Sequence, residues 1–369
     1  MAGIYFHIPF CKQRCSYCDF FSSTGIHKKE KYVDALCEEL RARSNYLQEP
    51  VETIYFGGGT PSLLSSADFD KIFRTLYFIY GEDMKREITL EANPDDLTHD
   101  YLESIQRFPF NRFSLGIQSF DDRELKLLNR RHDAQSAIRA VELLHNEGFN
   151  NISIDLMYGL PEQNLKTWKT TLQQAIDLQV QHISAYHLTY EEGTPFHRQL
   201  KEGSLSPVDE EMSIRLFEAL IDLLTAADFE HYEISNFARP GFQSRHNSSY
   251  WNGTHYLGVG ASAHSYNGFS RQWNKKAILQ DYRTSDYEIE TIDEKTAYND
   301  FIITRLRTMK GIDLNELTQL FGESRKTYCL QQSRKAIANV LLHYENNCLR
   351  LTRKGIFVSD GIMSDLMSD

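Results

Sequence analysis

Cys11, Cys15 and Cys18 stand in a C-x3-C-x2-C spacing directly after the apolar run Gly3-Ile4-Tyr5-Phe6-His7-Ile8-Pro9-Phe10. Three thiolates this close on one loop can each hold one iron of a cubane, and the residues that follow, Asp19-Phe20-Phe21, supply no fourth thiol. One iron is then left open. In an electron carrier that is a defect, whereas in a chemical site a small molecule can chelate the open iron and receive an electron. A zinc site would pair two C-x2-C knuckles, and Cys37, Cys329 and Cys348 are too scattered to supply the second. Those three read as buried small side chains.

Such a loop needs a rigid frame. Short β-branched or aromatic runs alternate with longer helical segments, the pattern of βα units on a parallel sheet. Strands are expected near Ile4–Ile8, Thr53–Phe56, Glu87–Glu91, Arg112–Ile117, Asn151–Leu156 and His182–Leu188. Helices are expected at Glu30–Asn45, Ser66–Tyr80, Thr98–Gln106, Ala134–Glu147, Leu165–Leu178 and Asp209–Ala226. Six units fall short of a closed eight-stranded barrel, so the fold class is α/β, a partial (β/α)6 TIM-like barrel with an open side. Polar residues follow every expected strand: the cysteine loop, Gly57-Gly58-Gly59-Thr60-Pro61, Glu91 to Asp95, Gln118-Ser119, Asp155 with Tyr158 to Pro161, then His187, Thr189 and Tyr190. Working residues of parallel α/β folds gather at those ends.

The barrel is expected over 1–239, a bridging segment of loop and short strand over 240–280, and a C-terminal unit over 281–369. Helices at Asp293–Arg307, Asp313–Phe321 and Ser324–Tyr344, then a hairpin of Leu349–Thr352 and Gly355–Val358, make that unit small, α+β and winged-helix-like.

The 369 residues carry a formal net charge of −11, which speaks against a broad nucleic-acid surface. No run approaches the roughly 18 to 20 apolar residues that span a bilayer. The first strand is too short, and too soon followed by the cysteine loop, to resemble a secretory signal. A cytoplasmic protein with reduced thiols is expected.

The triplet resembles that of the radical S-adenosylmethionine (SAM) superfamily. The resemblance implies a [4Fe–4S] cluster on Cys11, Cys15 and Cys18, with SAM on the open iron as the source of a 5′-deoxyadenosyl radical. Gly57 to Pro61 look like the family's GGGTP segment, which places Gly58, Gly59 and Thr60 at the methionine end of SAM. Glu91, Gln118, Arg130 and Asp155 would complete the SAM shell. Tyr5 and Tyr17 would flank the cluster or SAM, and Thr189 would line the adenosine pocket.

Tyr5 to Cys11, Glu91-Ala92-Asn93-Pro94, Gly116 to Phe120, Asn129-Arg130 and Asp155 to Pro161 narrow the resemblance to the branch of oxygen-independent coproporphyrinogen III oxidase and its relatives. Two departures matter. The oxidase carries a further cysteine where Phe20 stands here, and it has a longer N-terminal extension. Both favour the sister group, heme chaperones of the HemW type. That group's H-N-x-x-Y-W motif is matched by His246-Asn247-Ser248-Ser249-Tyr250-Trp251, which makes His246, Tyr250 and Trp251 candidate heme contacts. An imidazole can ligate heme iron, and His255 and His264 stand near enough to substitute.

The implied partners are heme, acceptor proteins such as respiratory enzymes, and an electron donor such as flavodoxin or ferredoxin. Membrane contact would be peripheral, through the acceptors. Whether SAM is cleaved in heme delivery is left open. The alternative is the oxidase itself, which decarboxylates two propionates. A DNA-associated regulator using the C-terminal unit ranks last.

Overall fold

The structure is a computed structural model that describes residues 1–82, 86–276 and 287–368. All six expected strands are present: β1 (Ala2–Ile8), β2 (Val51–Gly58), β3 (Glu87–Ala92), β4 (Arg112–Gln118), β5 (Ile152–Tyr158) and β6 (His182–His187). Each pairs in parallel with the next. Helices α1 (Lys29–Ala42), α2 (Ser66–Tyr80), α3 (His99–Ile105), α4 (Asp122–Leu127), α5 (Ala134–Asn146) and α6 (Leu165–Asp177) make the crossovers. After β6 come α7 (Pro195–Lys201) and α8 (Glu210–Ala226). Side-chain caps start most of them; Ser65 accepts from the Asp68 amide while the Asp68 carboxylate returns the bond, a capping box.

The sheet does not close on itself. At one edge β6 pairs antiparallel with β8 (Asn236–Ala238), which pairs with β7 (Glu230–Glu233). At the other, β1 pairs in parallel with β9 (His255–Val259), followed by β10 (His264–Tyr266), β11 (Ser270–Asn274) and β12 (Tyr287–Thr291), for twelve strands among the described residues. The segment read as a bridge thus extends the barrel sheet, and it also carries a helix, α9 (Arg245–Asn252), under the motif expected in a loop. Ser244 caps α9 by accepting from the Asn247 amide, and Gly253 ends it in the left-handed region. The segment's Ser, Asn, His and Tyr content hid both periods. The Glu39 carboxylate ties this edge to α1, accepting from Gly260 N at 2.8 Å, Asn274 Nδ2 at 2.7 Å and Arg43 at 3.0 Å. The expected domain boundary at 280/281 lies outside the described residues.

Side chains on a strand alternate between its two faces, and here the faces differ in kind. On β4, Phe113, Leu115 and Ile117 are fully buried in the apolar core that the helices cover. Arg112, Ser114 and Gly116 take the other face. The barrel interior is polar on its neighbours too: Glu87, Thr89 and Glu91 on β3, Ser153 and Asp155 on β5, His182 and Ser184 on β6. α9 closes its floor. The Glu87 carboxylate accepts from the Arg245 and His246 amides at 3.0 and 2.9 Å, satisfying the helix N-terminus.

In the C-terminal unit α10 (Glu294–Leu306), β13 (Ile312–Asp313) and α11 (Leu314–Ala338) precede the hairpin β14 (Leu342–Glu345) and β15 (Cys348–Leu351). α11 breaks at Gly322, where φ is 82° and ψ 171°. The sequence reading placed the hairpin one strand too late. Asn346 and Asn347, with φ of 50° and 61°, supply the tight turn, while the Thr352 hydroxyl accepts from Gly355 N and opens α12 (Arg353–Ile356). Gly355 and Ile356 are therefore helical, Phe357 and Val358 form a turn, and α13 (Ser359–Leu366) closes the unit. No described helix is long and apolar enough to cross a membrane.

Candidate functional site

A cavity of about 380 Å³ opens at the carboxyl ends of β1–β6. Cys11, Cys15, Cys18, Tyr17, Gly58, Gly59, Thr60, Glu91, Gln118, Arg130, Asp155 and Thr189 all line it. Tyr5 does not. It lies one layer deeper, with its hydroxyl donating to His7 Nδ1 at 3.1 Å and its ring against Tyr55.

The cysteine loop is held from both sides. Cys11 N donates to Ser23 O at 2.9 Å, and Gln13 Nε2 donates to Asn129 O and Oδ1 at 3.0 and 2.7 Å. Asn129 Nδ2 returns a bond to Arg14 O at 2.8 Å, from a left-handed backbone with φ 59°. His7 Nε2 lies 2.8 Å from Phe21 O. Burial lowers the His7 pKa to about 4, so the ring is neutral near pH 7. Its Nε2 carries the proton toward that carbonyl, which leaves Nδ1 to accept from Tyr5.

Burial raises the Cys11 thiol above its ordinary value and the Cys18 thiol to about 11. Arg130 Nη1 donates to Cys15 Sγ at 3.1 Å, and the same guanidinium donates to Asn93 Oδ1 and Gly116 O. Thr60 Oγ1 reaches Cys11 Sγ at 3.5 Å.

Glu91 and Asp155 form the acidic wall. Glu91 accepts from Tyr55 OH at 2.7 Å and Gly58 N at 3.1 Å, and burial, with the Asp155 charge second, raises its pKa to about 7. Burial raises Asp155 to about 6, against hydrogen bonds from Ser184 and Ser114 and the charges of Arg112 and Arg130. Between them Gln118 sits at φ 74° beside a register shift in β4, a strained backbone where a ligand is expected. The Gly-rich turn is dictated by space as well. A Cβ on Gly58, where φ is +104°, would stand 2.6 Å from the His7 ring, and one on Gly57 would stand 2.9 Å from both Tyr5 and Tyr55.

Of the heme candidates, His246 and Tyr250 are brought together and Trp251 is not. His246 is 1% exposed, with Nδ1 2.8 Å from Thr53 Oγ1 and Nε2 3.0 Å from Tyr250 OH. Both ring nitrogens are engaged, and burial lowers the pKa to about 3. Trp251 points elsewhere, beneath the Arg307 guanidinium at 4.9 Å and into a second cleft. His264 is exposed and stacks on Trp273, while His255 pairs with Glu49 at 2.8 Å.

The radical SAM superfamily pattern matches residues 5–175, and that of the HemN C-terminal domain matches residues 292–358. A protein of Lactococcus lactis curated as heme chaperone HemW is 31% identical, over 99% of this chain and 97% of its own length. The chaperone so named in Bacillus subtilis is 30% identical over the full length of both. The chain belongs to the HemW family of radical SAM proteins. In Escherichia coli the HemW chaperone is 36% identical over 84% of this chain. HemN, the E. coli coproporphyrinogen III oxidase described as a radical SAM enzyme, superposes with a TM-score of 0.86 over 100% of this chain and 90% of its own, at 23% identity, which establishes a shared fold.

Radical SAM membership implies a [4Fe–4S] cluster and SAM, and the residues of this HemW-family cavity fit both. Among the described residues no three His, Cys, Asp or Glu side chains converge tightly enough for a single metal ion. A cubane asks for something else, three thiolates standing apart around it, each on its own iron. The Arg130 Nε is buried without a partner among the described residues, and Glu91, Asp155 and Gln118 offer acceptors in the cavity lining. When bound, the cluster supplies one electron to the ligand on its open iron.

Sequence reasoning did not assign Asn93, which shares Arg130 with Cys15, nor Asn129, which ties the cysteine loop. Both lie in quoted motifs, yet only the fold shows which groups they reach. Arg112, Ser114 and Ser184 carried no signal beyond strand alternation.

Proposed function

We propose that this protein is a heme chaperone that carries a [4Fe–4S] cluster on Cys11, Cys15 and Cys18 and binds SAM in the cavity above them. It holds heme through the region of the H-N-x-x-Y-W helix and passes it to acceptor proteins such as respiratory enzymes. The observation that carries this reading is the end-to-end alignment with chaperones so named, across 97% to 100% of their length. Phe20, 63% exposed at the mouth of the cavity where the oxidases place a further cysteine, supports it.

In this reading Glu91 and Asp155 accept ribose hydroxyls, Arg130 pairs with the SAM carboxylate, Tyr17 closes one wall and Thr189 borders the adenine. Tyr5, outside the lining, orients His7 and through it the backbone at Phe21. The chain works in the cytoplasm, where its cysteines stay reduced, and takes electrons from a donor such as flavodoxin or ferredoxin. Its contact with membranes comes through its acceptors.

The test is anaerobically reconstituted protein mixed with ferric heme, with the visible spectrum recorded and coproporphyrinogen III turnover assayed on the same sample. Stable heme binding, transfer to an apo-acceptor and no porphyrinogen conversion are expected. Conversion to protoporphyrinogen with SAM consumption would make the protein an oxidase.

A further inference from the structure

Arg130 lines the cavity, whereas its neighbour Arg131 lies outside the lining and joins a quartet of charges. Arg131 Nη2 donates to Asp95 at 2.9 Å and to Asp96 at 3.1 Å. Asp96 is the centre of the quartet. Its side chain is 3% exposed, and the oxygen that takes Arg131 also accepts from Lys12 Nζ at 2.7 Å. The other oxygen accepts from Ser62 Oγ at 3.0 Å. Ser62 Oγ in turn accepts from Asn93 N at 3.3 Å, and the Asp96 amide donates to Asn93 O at 3.0 Å.

Each of these partners stands next to a group that the cavity uses. Lys12 follows Cys11, and Ser62 follows the Gly57-Gly58-Gly59-Thr60-Pro61 turn. Asn93 accepts from Arg130, and Arg131 follows Arg130, whose guanidinium reaches Cys15. The segments belong to the connections after β1, β2, β3 and β4, so hydrogen bonds within any one loop cannot fix their mutual distances. A carboxylate shared by all of them can. Its two oxygens take several donors at once, and away from solvent it holds them with little competition from water.

We propose that Asp96 is a positioning residue for the cluster site: it sets the cysteine loop against the Gly-rich turn and the Arg130 segment, and it balances the Lys12 charge beside Cys11. The assignment rests on the cluster reading of the cysteine loop and extends it to a residue outside the cavity lining.

The charges give this role a sign. Two acids face two bases, so the quartet is balanced. Asp96→Asn leaves an excess cation beside the cysteine loop, and Lys12→Gln leaves an excess anion. Reduction adds negative charge to a [4Fe–4S] cluster, and the potential follows the net charge around it. The two substitutions break the same contact, yet they act on the potential in opposite directions. A loss of order alone would move it the same way in both.

The experiment reconstitutes full-length wild type, Asp96→Asn, Lys12→Gln and Lys12→Arg anaerobically, follows iron loss to a chelator, and titrates the cluster potentiometrically by EPR. Asp96→Asn is expected to lose iron about tenfold faster and to shift the midpoint to higher potential. Lys12→Gln is expected to speed the loss several-fold and shift the midpoint to lower potential, while Lys12→Arg returns both toward wild type. In cluster-free protein, amide hydrogen exchange across residues 11–18 is expected to rise several-fold in Asp96→Asn and Lys12→Gln, with the barrel strands unchanged. If Asp96→Asn does not fold, Lys12→Gln carries the test, because that side chain is half-exposed. Iron loss, exchange and midpoint all unchanged, or two midpoints that shift the same way, would overturn the role. If the wild type takes up no cluster while the exchange difference is present, the cluster reading falls and the positioning of the loop stands; without that difference both fall.

Discussion

Arg130 and Cys15 are joined by a 3.1 Å contact from guanidinium to sulfur, so a cation buried in the cavity wall reaches into the cysteine loop. The same guanidinium reaches Asn93 on the β3 side and the backbone of Gly116 on β4. Three elements thus meet at one side chain, and they are the elements that must stay in register for the cavity to keep its shape.

Replacing Arg130 by Met is expected to weaken SAM binding by roughly ten- to a hundredfold, the value of one charge-assisted bond of about 1.5–3 kcal/mol. Calorimetric titration of reconstituted protein, normalised to iron content, measures it. Unchanged affinity would show that another group meets the SAM carboxylate.

The Gly-rich turn separates two costs. Gly58→Ala must carry both a positive φ and a Cβ 2.6 Å from the His7 ring, whereas Gly81→Ala carries positive φ alone, with nothing within 4 Å. Urea unfolding is expected to show about 1 kcal/mol of loss at Gly81 and about 2–4 kcal/mol at Gly58. Equal losses would mean that His7 moves aside freely.

Glu91 and Asp155 give the fold a pH signature of defined sign. Their folded pKa values, about 7 and about 6, stand above the ordinary carboxylate values of 4.5 and 3.8. Between pH 4 and 7 the folded state therefore holds more protons than the unfolded, and these two groups make stability fall as pH rises through that window. The neutral buried histidines His7, His132 and His246, all lowered, act in the opposite direction below pH 6.5. A difference measurement removes them. The stability advantage of Glu91→Gln over wild type is expected to grow from pH 5 to 7 and then level off, read from denaturant midpoints across that range. A gap that does not change with pH would mean that Glu91 is ionised throughout.

Arg112 supplies a positive charge from inside the barrel to both carboxylates. It is 1% exposed, and its Nε and Nη1 have no partners among the described residues. Arg112→Met is expected to displace the falling part of that curve to higher pH, and a curve that does not move would rule out the electrostatic role.

His246→Ala removes bonds to Thr53 and Tyr250 and opens a hole in the barrel floor. A loss of about 2–4 kcal/mol in unfolding free energy is expected from denaturant titration. A variant as stable as the wild type would show that neither bond holds the barrel floor.

Much of this molecule was legible before its fold was known, for a physical reason. The six parallel strands carry β-branched and aromatic residues bounded by turn residues, and their order along the chain is their order in the sheet. The cysteine spacing needs no tertiary context at all. What stayed hidden depends on distant partners. α9 is short and polar, and it is stabilised by Glu87 rather than by its own periodicity. The hairpin of β14 and β15 turns on Asn346-Asn347, a signal outweighed by the apolar Gly355 to Val358. The family resemblance places Tyr5 beside the cluster or SAM, whereas the structure sets it beneath His7 and outside the cavity lining.

The contrast between the two faces of the sheet sorts substitutions by the parity of their position. On β3 and β4, Ile88, Leu90, Phe113 and Leu115 belong to the oily side, and changes there should surface as lost protein. Thr89, Glu91, Arg112 and Ser114 alternate with them on the polar side, where changes should surface as folded protein with altered chemistry. Two adjacent residues of one strand can therefore give opposite phenotypes, and a deep mutational scan of this chain should oscillate with a period of two along every barrel strand.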